Sequence, residues 1–170
     1  LLSELIRAED QGRKLSEDEL VTTAILLLNA GHESTVHAIG NGVKTLLEQN
    51  IRDSIGEGHI EETLRHDAPL HLFGRWVLDP VEIAGQTIAA GEEIAMLFGS
   101  ANRDPRRFDD PGRFDVGRGD TAHIGFGGGI HFCIGAPLAR LELEASVARF
   151  ATGMPDVHLA TDPVYHPTFV

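Results

Sequence analysis

Cysteine is almost missing from this chain: Cys133 is the single one in 170 residues. A lone thiol excludes an intrachain disulfide, and it excludes the paired C-x-x-C spacing that announces structural zinc. Cations are scarce too. Fourteen Lys and Arg against 26 Asp and Glu leave a formal net charge of -12, and nucleic acid as the main partner is excluded because phosphate binding needs clustered Lys and Arg. Long apolar runs are also lacking. The longest, Ala24 to Leu28, is far short of the roughly 20 residues that cross a bilayer. No secretory signal pattern opens the chain. The expectation is therefore a protein with no membrane partner, in the reducing cytoplasm that suits a single thiol. Internal repeats and low-complexity segments are missing as well, and the length suits about one domain.

Helical patterning dominates what is present. Leu2, Leu5 and Ile6 share one face, closed by the polar run from Asp10 to Arg13. The chain opens on Leu1 inside this pattern rather than on Met, which reads as a cut end. Ser16-Glu17-Asp18-Glu19 forms a capping box with acids suited to a helix's positive end. No proline follows before about Glu48, so one helix of about 30 residues, on the order of 45 Å, is expected. Its turn Ala24 to Leu28 is apolar on every face, and such a turn expects burial on every side, hence partner helices. A short helix over Ile60 to Arg65 ends before Pro69. Short β segments follow at Phe73 to Leu78, Val81 to Ile83, Gln86 to Ile88 and Ile94 to Phe98, with turns at Asp79-Pro80, Ala84-Gly85 and Ala90-Gly91. Asn102 to Gly119 reads as a long irregular loop. Its arginines, Arg103, Arg106, Arg107, Arg113 and Arg118, are nearly cancelled by interleaved aspartates, so they read as solvated. A last helix is expected over Ala136 to Phe150, with Pro137 tolerated in its first turn. The fold class is mainly α with a small β region.

The cysteine lies in Phe126-Gly127-Gly128-Gly129-Ile130-His131-Phe132-Cys133-Ile134-Gly135. Most free cysteines are small buried hydrophobes. Here glycines let the backbone approach closely, and the helix that follows brings its positive end near the sulfur, which favours thiolate. A thiolate so held suits the single axial ligand of a large metal cofactor, haem iron being the usual one. A P-loop is excluded, since no Lys-Ser or Lys-Thr follows the glycines. The decapeptide resembles the haem-binding loop of the cytochrome P-450 family, the haem-thiolate monooxygenases. All six fixed positions of that family's loop are matched, by Phe126, Gly127, Gly129, His131, Cys133 and Gly135.

The resemblance extends along nearly the whole chain and implies the rest of a site. Ala30-Gly31-His32-Glu33-Ser34 matches the oxygen-binding kink of the family's central helix, with Glu33 as the acid and Ser34 where threonine is usual. Thr35 stays open as the working hydroxyl. His32 and His37 stand five apart, so the H-E-x-x-H zinc spacing fails. Glu62 and Arg65 fit the family's Glu-x-x-Arg element, and Arg113 would complete a buried structural triad. Arg75 and His131 would pair with the haem propionates, with Phe126, Gly127, Ala30 and Gly31 as further haem contacts and Cys133 on the iron.

The implied protein is the C-terminal, haem-bearing part of a soluble bacterial P-450 fold: long kinked central helix, short β segments, cysteine loop, then a helix. Residues 1–170 would form a partial domain, with the N-terminal half absent. The implied activity inserts one oxygen atom from dioxygen into a small organic substrate. Haem b would be the cofactor, and electrons would come from a ferredoxin-type redox partner and its reductase. Substrate would meet residues near Ala30, Leu70 to Phe73 and the Phe169 region. Two other readings stay open: a truncated, non-catalytic chain that holds no haem or serves only in interaction, and a haem-thiolate protein that uses peroxide.

Overall fold

Ser16 starts the element that organises everything else. Its Oγ accepts a hydrogen bond from the Glu19 amide at 3.3 Å, and the Glu19 carboxylate accepts one from the Ser16 amide at 2.8 Å. Two orphan amides of the helix start are thereby satisfied reciprocally. The computed structural model, which describes residues 1–10, 12–51 and 55–165, continues from this cap into one 33-residue helix, α2 (Glu17–Gln49). It is about 50 Å long. Asn50, left-handed at φ 53°, stops it.

Among the described residues, four further helices and three two-stranded sheets accompany α2. A short α1 (Leu2–Arg7) precedes a two-residue hairpin, β1 (Glu9–Asp10) with β2 (Arg13–Lys14). After α2 come α3 (Glu57–His66), β3 (Leu72–Trp76), β4 (Val81–Ile83), β5 (Gln86–Ile88) and β6 (Glu93–Leu97). A single turn, α4 (Phe98–Ala101), follows, and α5 (Ala136–Gly153) comes last. β3 pairs antiparallel with β6, and β4 with β5. The β4–β5 turn is Ala84-Gly85, with φ of 52° and 79°. Two successive positive φ values make the turn whose twist matches paired strands.

The expected segments are therefore present, with ends shifted by a few residues. Three were not expected: the β1–β2 hairpin, α4 and a 3-10 turn over Gly129–His131. Between Asn102 and Gly128 no helix or strand forms, as the lack of periodicity predicts.

The core joins the second half of α2 to α3 and α5. Ala38, Leu46, Ile60, Leu64, Leu143, Val147 and Ala151 are buried together. Gly42 makes the crossing possible: a Cβ there would lie 3.0 Å from a Val147 methyl and 3.8 Å from Leu143. The first half of α2 is different. Val21, Ile25, Leu26 and Leu28 are exposed, Leu28 by 71%. Burial on every side, expected for this turn, is not provided by the described residues. The helix also stays α-helical through Gly31, where the resemblance implies a kink. No helix of the described residues is long and apolar enough to cross a membrane.

Candidate functional site

The cysteine loop is shaped by two left-handed glycines and a short set of backbone bonds. Gly127 and Gly129 take φ of 72° and 63°, a region that other residues enter only at a steric cost. The Gly127 amide donates to Ile124 O at 2.8 Å, and the Cys133 amide donates to Phe126 O at 3.0 Å. Residues Gly129–His131 form one 3-10 turn between them. The Ala136 amide then donates to Cys133 O at 3.2 Å, so α5 begins within three residues of the sulfur. Its positive end is adjacent to the thiol, an arrangement that favours negative charge.

Cys133 is a free, exposed thiol. The residues flanking it are apolar and exposed as well: Ile130 by 97%, Ile134 by 91%, with Phe132, Leu138 and Leu141 each above half. A soft sulfur donor bordered by uncovered apolar side chains suits a large, flat, mostly apolar group better than a hydrated metal ion.

Arg75 and His131 sit on β3 and in the loop. The Arg75 guanidinium lies 4.6 Å from the Phe73 ring centre and donates to Gly74 O at 2.9 Å. Neither Arg75 nor His131 has a carboxylate partner among the described residues. Both remain available to an anion.

On α2, Glu33 is exposed, and Ser34 and Thr35 are half-buried. Ser34 Oγ donates to Ala30 O at 2.7 Å. With its proton committed to the helix backbone, that oxygen presents lone pairs and can accept a further hydrogen bond. Ala30 and Gly31 are exposed beside it. The Phe169 region lies outside the described residues.

Glu62 and Arg65 form a buried bidentate pair, Nε to Oε2 at 2.7 Å and Nη2 to Oε1 at 2.8 Å. The expected third member, Arg113, is not there. Its side chain is exposed and pairs with Asp110 and Asp115. Arg118 takes the place instead, with Nε 3.2 Å from both Glu62 oxygens. Arg113 contributes only its carbonyl, which accepts from Arg65 at 3.2 Å and Arg118 at 3.0 Å. The aspartates that nearly cancel the loop's arginines in sequence leave Arg118 mostly buried, against the reading of all five as solvated. Burial opposes charge on Glu62, but the bonds from Arg65 and the Asp115 amide outweigh it and hold its carboxyl below the usual range.

Sequence reasoning missed a second charged group, directly behind the cysteine loop. Glu61 is buried on α3 beside Glu62. It accepts from Arg140 Nε at 2.5 Å and Nη2 at 3.1 Å, and it meets His123 Nε2 at 3.1 Å. His123 Nδ1 accepts the Gly125 amide at 3.0 Å, so the ring's proton is on Nε2, facing Glu61. Burial works against charge on Glu61, yet the hydrogen bonds from His123 and Arg140 prevail and lower it to about 2. Arg140 also lies 4.6 Å over the Phe126 ring. A second buried anchor, Asn102, accepts the Ile124 amide through Oδ1 at 2.9 Å. No periodicity marks these residues; adjacent acids on a ten-residue helix were the only hint.

The family model described as Cytochrome P-450 matches residues 57–150. Cytochrome P-450 107B1 of Saccharopolyspora erythraea is 44% identical over 171 residues, covering 96% of this chain and 42% of that protein. The cytochrome P-450 monooxygenase PikC of Streptomyces venezuelae is 40% identical, covering 98% of this chain and 43% of that protein. Among solved structures, CYP109E1 from Bacillus megaterium in complex with testosterone superposes with a TM-score of 0.89 at 35% identity. That match covers 99% of this chain and 49% of the other. The chain thus spans less than half the length of the relatives it matches.

Proposed function

The chain belongs to the cytochrome P-450 family, and we propose that it serves a haem-thiolate monooxygenase, with Cys133 as the residue that would hold the haem iron. The observation that carries this reading is the exposed Cys133 thiol at the start of α5, in a loop matching all six fixed positions of the family. Family members bind haem b, and the residues present here fit it. Apolar Ile130, Phe132 and Ile134 border the sulfur, and Arg75 and His131, without carboxylate partners among the described residues, would meet the two propionates.

Bound here, haem would supply dioxygen activation tuned by thiolate donation. The chain's own residues do the rest. Cys133 would hold the iron from one side. Glu33 and Ser34 would relay protons, and the Ser34 oxygen, whose own proton is engaged by Ala30 O, receives and orients a hydrogen-bond donor nearby. Arg75 and His131 fix the orientation of the group. In this reading electrons come from a ferredoxin-type partner and its reductase, the substrate is a small organic molecule, and the compartment is the cytoplasm. Residues 1–170 are read as the haem-bearing part of a longer fold. The exposed apolar turn of α2 and the 42–43% coverage of the relatives support that.

The test is Cys133→His in the haem-loaded protein. The expected result is loss of the strongly red-shifted Soret band of the reduced carbon monoxide complex. An unchanged band in the variant rejects Cys133 as the ligand.

A further inference from the structure

Glu61, His123 and Arg140 connect three elements at the back of the cysteine loop. Glu61 is on α3, whose Ile60 and Leu64 belong to the core; Arg140 is on the second turn of α5; His123 stands at the loop's entry. Both arms of the carboxylate end on the loop. Through His123, Glu61 reaches the Gly125 amide. Through Arg140 it reaches the face of Phe126, and the Phe126 carbonyl is what receives the Cys133 amide. The entry has no slack: a Cβ on Gly125 would lie 3.2 Å from Leu64 O and 3.0 Å from His123 Nδ1.

We propose that Glu61, His123 and Arg140 are positioning residues for Cys133, transmitting the rigidity of α3 to the loop and balancing charge behind the sulfur. The proposal rests on the reading of Cys133 as the iron ligand. Two consequences separate it from a purely structural ion pair. Glu61 and Arg140 carry opposite charges in one low-dielectric place, so neutralising either leaves the other uncompensated near the thiolate. An uncompensated cation favours the more electron-rich, reduced iron, and an uncompensated anion disfavours it. Loss of packing alone would move both variants the same way. Furthermore, His123→Gln keeps a donor for Glu61 at the position of Nε2 but removes the acceptor for Gly125, cutting the link to the loop alone.

The experiment is potentiometry and carbon monoxide spectroscopy on the haem-loaded protein and on Glu61→Gln, Arg140→Gln and His123→Gln. We expect the reduction potential to rise in Glu61→Gln and to fall in Arg140→Gln. In His123→Gln we expect a larger fraction of the reduced carbon monoxide complex to show the blue-shifted Soret band of lost thiolate ligation. Shifts of one sign in both charge variants, or none, overturn the electrostatic role. A His123→Gln spectrum identical to the parent's overturns the positioning role. If a charge variant takes up no haem, Arg140→Lys decides. That variant keeps the charge but not the flat contact on Phe126, so a potential well below the parent's there would overturn the electrostatic role, and a parent-like spectrum would overturn the positioning role. Absence of the red-shifted band in the unsubstituted protein would instead reject the ligand assignment itself.

Discussion

Arg118 holds both oxygens of the Glu62 carboxylate at 3.2 Å, from 56 residues further along the chain. The contact closes a buried group in which Arg65 also binds the carbonyls of Asn102 and Pro111 at 2.8 and 3.0 Å. Five main-chain carbonyls, those of Asn102, Asp109, Asp110, Pro111 and Arg113, and one carboxylate thus collect two guanidinium groups, and the irregular stretch after α4 is fastened to α3 by them. Arg65 further lies 5.3 Å over the Phe108 ring.

Removing one member of a buried charge network leaves its partners unpaired, which typically costs about 3–5 kcal/mol. Glu62→Ala and Arg118→Ala should therefore each lose most of the soluble haem protein. Arg113→Ala keeps the carbonyl and removes only surface ion pairs with Asp110 and Asp115, so it should cost at most about 1 kcal/mol. Glu4→Ala, on exposed α1, should do as little. Denaturant unfolding of the four variants checks this, and Arg113→Ala matching Arg118→Ala would reinstate Arg113 as the third member.

Acid should loosen the same region. The Glu61 carboxyl is lowered to about 2, against burial, by His123 and Arg140, and Glu62 is lowered as well. A carboxyl lowered in the folded state adds stability that is fully present above its unfolded value, near 4.5. That stability is lost as pH falls from there toward 2. Thermal unfolding measured between pH 7 and 3 should therefore show a decline beginning below about pH 5. Glu61→Gln should flatten part of it while lowering stability at pH 7. An equally steep decline in Glu61→Gln would exclude Glu61 as a source.

Two helical glycines should respond with opposite signs to the same added methyl. Gly40 on α2 has open space where a Cβ would go, so Gly40→Ala should stabilise by roughly 0.5–1 kcal/mol through helix propensity. At Gly58 on α3 a Cβ would lie 2.5 Å from the backbone oxygen of Val116. No rotamer relieves that contact. Gly58→Ala should destabilise and displace the segment that carries Asp115 and Arg118. Unfolding midpoints of the pair settle it, and a stabilised Gly58→Ala would contradict the packing described.

Ser34 carries the last prediction. Its proton engages Ala30 O, so its value to the site is as an acceptor. In coupled turnover, Ser34→Ala should lower product formed per electron pair and raise peroxide. Ser34→Thr should keep or improve that ratio, because branching at Cβ restricts the side-chain rotamer. Glu33→Gln should slow turnover, on the order of 10²-fold if Glu33 acts as general acid, with the haem spectrum intact. A partition moved by Thr35→Ala and untouched by Ser34→Ala would assign the working hydroxyl to Thr35.

Much of this protein is determined locally, and local features are what a sequence displays. The Ser16–Glu19 cap, the unbroken helix after it, the Ala84-Gly85 turn and the glycine loop before Cys133 all depend on neighbours within a few residues. Periodicity therefore suffices for the mainly helical fold, while the likeness of the cysteine loop to the family's rests on its six matched positions. Long-range choices are different in kind. Five arginines lie within the loop from Arg103 to Arg118, and nothing local says which one turns inward. The left-handed Asp110, at φ 44°, and the close contact of Gly58 with Val116 aim the segment. Arg118 reaches Glu62 as a result, and Arg113 offers only its carbonyl. Glu61, His123 and Arg140 are likewise 62 and 79 residues apart at their contacts. Only the packing of α3 against α5 brings them together behind the cysteine, because burial forces each of those charges to find its partner in space rather than in sequence.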